Sequence, residues 1–128
     1  MASIAILAIA AFLRLYWLDL KPMHHDEGTN GYFLTNLLRQ GIYKYDPANY
    51  HGSTLYYLTI PAVLLFGLST LALRFLTSMF GIATVWLVLR LRRHLGDLGT
   101  LSAAALISVS PAAVFFSRYY IHETLFVF

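Results

Sequence analysis

Residues 73 to 94 read LRFLTSMFGIATVWLVLRLRRH, an apolar run that ends in the densest basic tract of the chain. A helix rises 1.5 Å per residue, so roughly 17 to 25 residues cross about 30 Å of hydrocarbon. The run from Leu73 to Leu91 has that length. Short loops rich in Arg and Lys stay on the cytoplasmic side of a membrane. Arg90, Arg92, Arg93 and His94 are therefore expected inside, and the side on which every other segment lies follows from that placement.

Composition agrees with a membrane protein. Of 128 residues, 59% are hydrophobic and only 12% charged, with a mean hydropathy of +0.64, too apolar for an ordinary soluble domain of this size. There is no cysteine, which excludes disulfides, thiolate nucleophiles and cysteine-bound metals. The net charge of +3 is concentrated in one tract rather than spread over a face, which favours membrane orientation over nucleic-acid binding.

Two further runs have spanning length. Ala2 to Leu18, ASIAILAIAAFLRLYWL, ends in Tyr16 and Trp17, which suit a membrane–water interface, with Arg14 placed to snorkel outward. Leu98 to Phe116 precedes SRYY. The first run does not read as a signal peptide, because no basic region precedes it and cleavage after Ala8 or Ala10 would leave too short a core. Leu55 to Leu68, LYYLTIPAVLLFGL, would extend only about 21 Å as a helix and contains Pro61, so a juxtamembrane helix is expected there. Counting it as a span would put RLRRH outside, against the charge rule. With a cytoplasmic N-terminus, residues 19 to 72 lie outside, RLRRH inside, and the segment after residue 116 outside again. The expected fold class is all-α, a polytopic membrane protein with spans at about 2–18, 73–91 and 98–116 and outer juxtamembrane helices at about 26–40 and 55–68. No internal repeat or low-complexity segment is present.

The outer segments carry the titratable chemistry. PMHHDEGTNGYF, residues 22 to 33, sets His24, His25, Asp26 and Glu27 side by side at the exit of the first run, and Arg118, His122 and Glu123 follow the third. This topology puts both groups on one face, so they can meet. From Asp26 to Gln40 an amphipathic helix is expected, with Phe33, Leu34, Leu37 and Leu38 on one side and Gly41 as its stop. GIYKYDPANYHGS, residues 41 to 53, follows as a loop.

A carboxylate at an apolar boundary has its pKa raised toward a range useful to a general base. Asp26 is the candidate general base. A fixed cation on the same face can pair bidentately with an anionic group such as a phosphate; Arg118 is the first candidate and Lys44 the second. Plainer roles compete: Asp26 and Glu27 also suit a helix N-terminus, and Arg118 with Tyr119 and Tyr120 also suits an interface anchor. A divalent metal held by His25 and Asp26, with His24, His51 or His122 nearby, stays open, although adjacent histidines lack a recognised ligand spacing. A non-catalytic membrane subunit and a transporter fragment are the alternative functions. A transporter would place its ionisable residues at bilayer depth.

The strings HHDEG, YKYDPANYHG and FFSRYYIHE, set between a first span ending in Arg and aromatics and a basic cytoplasmic turn, resemble the membrane-embedded C-type glycosyltransferases. Within them the chain is similar to the protein-mannosyltransferase and lipid A aminoarabinose-transferase branch, and most of all to flippase-associated glycosylation proteins. The resemblance covers essentially all 128 residues as the N-terminal part of a longer protein, with a fourth span beginning at Phe128. It implies a transferase using a polyprenyl-phosphate-linked sugar at the extracytoplasmic face, acting with inversion on an acceptor it does not identify. It implies catalytic positions at Asp26, Glu27 and Glu123, and a substrate-binding set of Arg118, His51, Lys44, Tyr50 and His122. The sequence departs from many relatives in having His51-Gly52-Ser53 for a His-Pro-Pro turn and Glu123 for an Asp.

Overall fold

The computed structural model describes residues 1–48 and 51–128, so Tyr50 lies outside the described residues. They form seven helices and, among the described residues, no strand: α1 (Ala2–Leu15), α2 (His25–Gln40), α3 (Thr54–Phe66), α4 (Thr70–Arg90), α5 (Arg92–Val109), α6 (Pro111–Ser117) and α7 (Glu123–Val127).

Helix α4 is the axis, with α1, α3, α5, α6 and α7 all packed against it. Its C-terminal half joins α1 and α5 through Ala10, Val85, Leu89 and Ala104. Small residues at these positions let helix axes approach closely. Its N-terminal half supports a second core in which Leu73 packs with Leu34 and Leu37 of α2, Leu55 and Tyr56 of α3, and Tyr120. Helix α2 therefore buries the stripe Glu27, Asn30, Leu34 and Leu37, spaced three or four residues apart on one face.

Element by element, the expected boundaries hold for α2, which ends where Gly41 adopts φ 74°, and for the short helix α3, which ends before Gly67 at φ 70°. Of the three expected spans, only the middle one forms as a single uninterrupted helix of spanning length, α4. Helix α1 has 14 residues, about 21 Å at 1.5 Å per residue. It stops at Leu15 because Tyr16 is extended and Trp17 turns to φ 50°. The run from 98 to 116 is broken at Ser110, which is extended before Pro111, and α5 and α6 are bent by 61°. Proline disfavours helical geometry in the residue before it and supplies no N–H to continue the ladder. Among the described residues only Thr70–Arg90 is by itself long and apolar enough to cross a membrane, and the bent pair α5 and α6 passes if taken as one span. At the basic turn, Gly96 at φ 67° interrupts α5 near its start, while Arg90 lies 5.4 Å from the Trp86 ring centroid.

Two arginines close the helix ends. Arg14, 1% exposed, donates to the carbonyls of Ile107 (3.1 Å) and Ser108 (3.0 Å) at the C-terminus of α5. Arg118 donates to Leu13 (2.8 Å) and Trp17 (3.0 Å) at the C-terminus of α1. Both cations lie where unsatisfied carbonyls and the helix dipole are negative.

Helix α6 reaches α4 through Gly81. A Cβ there would lie 2.6 Å from the Ser117 Cβ and 3.0 Å from the Arg14 Nε. Gly81→Ala is expected to cost about 1–3 kcal/mol by overpacking, lowering the thermal midpoint followed by circular dichroism in micelles. An unchanged midpoint would mean that α4 and α6 do not meet at Gly81.

Candidate functional site

The site grows from the N-terminus of α2. His24 is the N-cap: its Nδ1 accepts from the Asp26 N–H at 3.4 Å, and its own N–H donates to Glu27 Oε2 at 2.9 Å. A helix turns about 100° per residue, so the two neighbouring acids point apart. Glu27 turns in and is fully buried, whereas the Asp26 side chain is 65% exposed.

Arg74 meets Glu27 with a bidentate pair, Nε to Oε1 and Nη2 to Oε2, both 2.7 Å. Its remaining donors go to the carbonyls of Leu18 (2.6 Å), Lys21 (3.0 Å) and Pro22 (3.1 Å). Glu27 Oε1 also accepts the Tyr120 N–H at 3.0 Å. Beside it, Asn30 donates to the Tyr120 carbonyl (2.9 Å) and accepts from the Tyr56 hydroxyl (3.0 Å), and the Tyr120 hydroxyl donates to Thr59 (3.0 Å). The segments after the first and third apolar runs thus do meet, through Glu27 and Asn30 on one side and Tyr120 on the other. Burial pushes the Glu27 carboxyl up, but the bonds from Arg74, His24 and Tyr120 outweigh it and hold the pKa below the ordinary glutamate value.

Asp26 borders a different surface. His24 Nδ1 is 3.4 Å from its carboxylate, and the His24 ring lies 5.9 Å from Tyr119. Tyr119 lines a cleft of about 330 Å³ between α1, the turn at 18–21 and α6. Its walls include Leu13, Leu18, Val109, Val114 and Phe115, and three cations, Lys21, Arg74 and Arg118, reach it. Arg74 has all five N–H donors engaged, as above. Lys21 Nζ sits 5.6 Å from the Phe115 ring centroid, and Arg118 spends only two donors on carbonyls. Burial lowers the Arg118 pKa, and the neighbouring Arg74 charge adds to the shift.

The other expected site residues are distributed elsewhere. The His51 and His122 rings pack at 5.5 Å, tilted by 51°, beside Tyr56, and His122 Nε2 bonds the Gly52 carbonyl at 3.0 Å. Burial lowers the His122 pKa, with His51 adding to it and Gly52 and Glu123 opposing. Glu123 lines a separate apolar cleft of about 430 Å³ with Arg14, Gly81 and Phe116. No contact joins Asp26 to Glu123 among the described residues. Lys44 lies on a groove of α2, away from Arg118. His25 is exposed, and among the described residues no three His, Asp or Glu side chains converge on a metal position.

Arg74 and Lys21 were not singled out in the sequence. Arg74 had a signal: a lone charge early in an apolar run is a functional or structural flag by default. Lys21 had none beyond its place after Trp17.

Removing one partner of a buried ion pair strands the other, so Glu27→Gln is expected to cost about 3–5 kcal/mol. Because the folded pKa is lowered, the stability from Glu27 is complete above the ordinary value of about 4.3 and drains as pH falls through the folded value. Acid unfolding curves of the wild type and of Glu27→Gln check both points. Equal midpoints at neutral pH would remove the pair from the fold's foundations. No protein-family model matches the chain, and no curated protein or solved structure matches it.

Proposed function

We propose that this chain forms part of a membrane-embedded glycosyltransferase, which moves a sugar from a polyprenyl-phosphate donor to an acceptor hydroxyl at the extracytoplasmic face. The observation that carries it is the cleft beside Tyr119, where apolar walls meet Lys21 and Arg118 with donors to spare. An isoprenoid phosphate has the matching halves, a hydrocarbon chain and an anionic head, which carries one charge while the sugar is attached and gains a second as it leaves. Charge-assisted bonds to phosphate are the strong ones, and arginine can make them in pairs.

In this reaction the acceptor oxygen attacks the anomeric carbon as the bond to the phosphate oxygen breaks. The acceptor proton passes to the Asp26 carboxylate, and polyprenyl phosphate leaves onto Lys21 and Arg118, inverting the anomeric centre. Asp26 suits the base because its carboxylate is open to an acceptor, next to His24 at 3.4 Å. The Asp26 side chain is 65% exposed rather than set into an apolar boundary, and catalysis in this proposal rests on position and on stabilising the leaving phosphate. Glu27 acts as a positioning residue: its bonds fix the turn that carries His24 and Asp26.

In the same proposal α4 and the bent pair α5 and α6 cross the bilayer, with α2 and α3 lying on its outer face and RLRRH inside; α1, about 21 Å long, packs against α4 and α5 without being long enough to cross by itself. Large apolar side chains remain exposed around the helices, among them Ile4, Phe12, Leu64, Leu65, Leu98 and Leu106, as a lipid-facing surface requires.

Asp26→Asn, in membranes supplied with a polyprenyl-phosphate sugar, is expected to lower transfer about 10²–10⁴-fold, the usual worth of a general base. An undiminished rate would take Asp26 out of that role. Lys21→Ala is expected to raise the donor KM about tenfold or more, the equivalent of one charge-assisted bond of about 1.5–3 kcal/mol. Because the chain has no cysteine, Ala48→Cys and His94→Cys can be probed singly with an impermeant thiol reagent. Labelling is expected from the outside at residue 48 and from the cytoplasm at residue 94; labelling from one side for both would overturn the topology.

A further inference from the structure

A second groove lies on α2, away from the cation-lined cleft. It measures about 420 Å³, within the range of about 300–1,000 Å³ common for small-ligand sites. One wall is the stripe Thr29, Tyr32, Asn36 and Gln40, at helical spacing beside the buried face; the other is the segment carrying Tyr43 and Lys44.

The second wall is held in place. Gly41 turns the chain at φ 74°, the Tyr43 N–H donates to the Tyr57 hydroxyl at 3.2 Å, and the Tyr43 hydroxyl donates to the His51 carbonyl at 2.7 Å. The Tyr43 ring packs on Tyr56 at 5.2 Å. A wall fixed in this way offers a preformed surface, which spares a ligand the ordering cost of a loop.

Both walls have spare bonding capacity. The Asn36 and Gln40 amides, the Tyr32 hydroxyl and the Lys44 ammonium have no protein hydrogen bond among the described residues, and Tyr32 is 63% exposed. An amide side chain offers two donors and an acceptor, the complement of hydroxyls that both give and accept. A tyrosine face is electron-rich and apolar, and can seat the C–H face of a pyranose ring while its hydroxyl stays wet. An aliphatic chain would leave those amides unpaired, at a cost.

We propose that this groove binds a carbohydrate. Within the transferase reading, on which this assignment of role rests, the bound sugar belongs to the acceptor, making the acceptor a glycan. Sugar binding itself needs neither the donor nor transfer.

The test uses the protein in lipid nanodiscs free of sugar-based detergent, titrated with soluble trisaccharides of glucose, mannose and N-acetylglucosamine and followed by calorimetry. Saturable binding of at least one is expected, weakened at least tenfold by Tyr32→Ala and by Asn36→Ala, with Tyr32→Phe close to wild type because stacking survives. Thermal midpoints are compared first; if Asn36→Ala is unstable, the exposed Gln40→Ala takes its place. No saturable binding of any of the three, or binding indifferent to Tyr32→Ala, overturns the proposal. Such a failure leaves the Asp26 reading standing, and an active Asp26→Asn leaves the groove standing.

Discussion

The Glu27–Arg74 ion pair is the constraint on which the rest of the structure depends. Both groups are out of solvent, 0% and 4% exposed, where desolvating two charges costs more than an average pair returns. The pair persists because no polar valence is left over. Arg74 spends all five donors and Glu27 accepts from three directions, so every bond is charge-assisted. Through these bonds the turn after α1, the start of α2, the body of α4 and the segment before α7 become one body. The cation-lined cleft and Asp26 both sit on its surface.

Two other arginines, Arg14 and Arg118, bond backbone carbonyls instead. Arg14 reaches the end of α5 and Arg118 the end of α1, so each helix end is closed by a side chain from another part of the chain. Neither arginine has a carboxylate within ion-pair distance among the described residues. Arg14 is sealed by packing at 1% exposure. Arg118 borders an open cleft with donors remaining, which is why the two play different parts despite similar caps.

Much of the helical layout was legible in the sequence because local signals agreed: Gly41 stops α2, Gly67 stops α3, and the Leu34 and Leu37 face is buried as its spacing requires. The break at Ser110 was written in Pro111, but continuous apolarity on both sides hid it. The site was half legible. Asp26 and Glu27 are chemically alike, and only the helical phase tells them apart: Glu27 shares its face with Asn30, Leu34 and Leu37, so it turns inward. The partners of that face are distant in sequence, Arg74 and Tyr120, and no local pattern announces them.

That distance has a consequence for how the chain is made. Glu27 waits for Arg74, 47 positions later, and for Tyr120, 93 positions later, before its bonds can close. Closing such long loops costs entropy before any contact returns it. During synthesis α1 and α2 therefore precede the partners of Glu27, which stays solvated and uncommitted in the first turn of α2 until they arrive. The junction consolidates late, when the last of its strands of chain arrives.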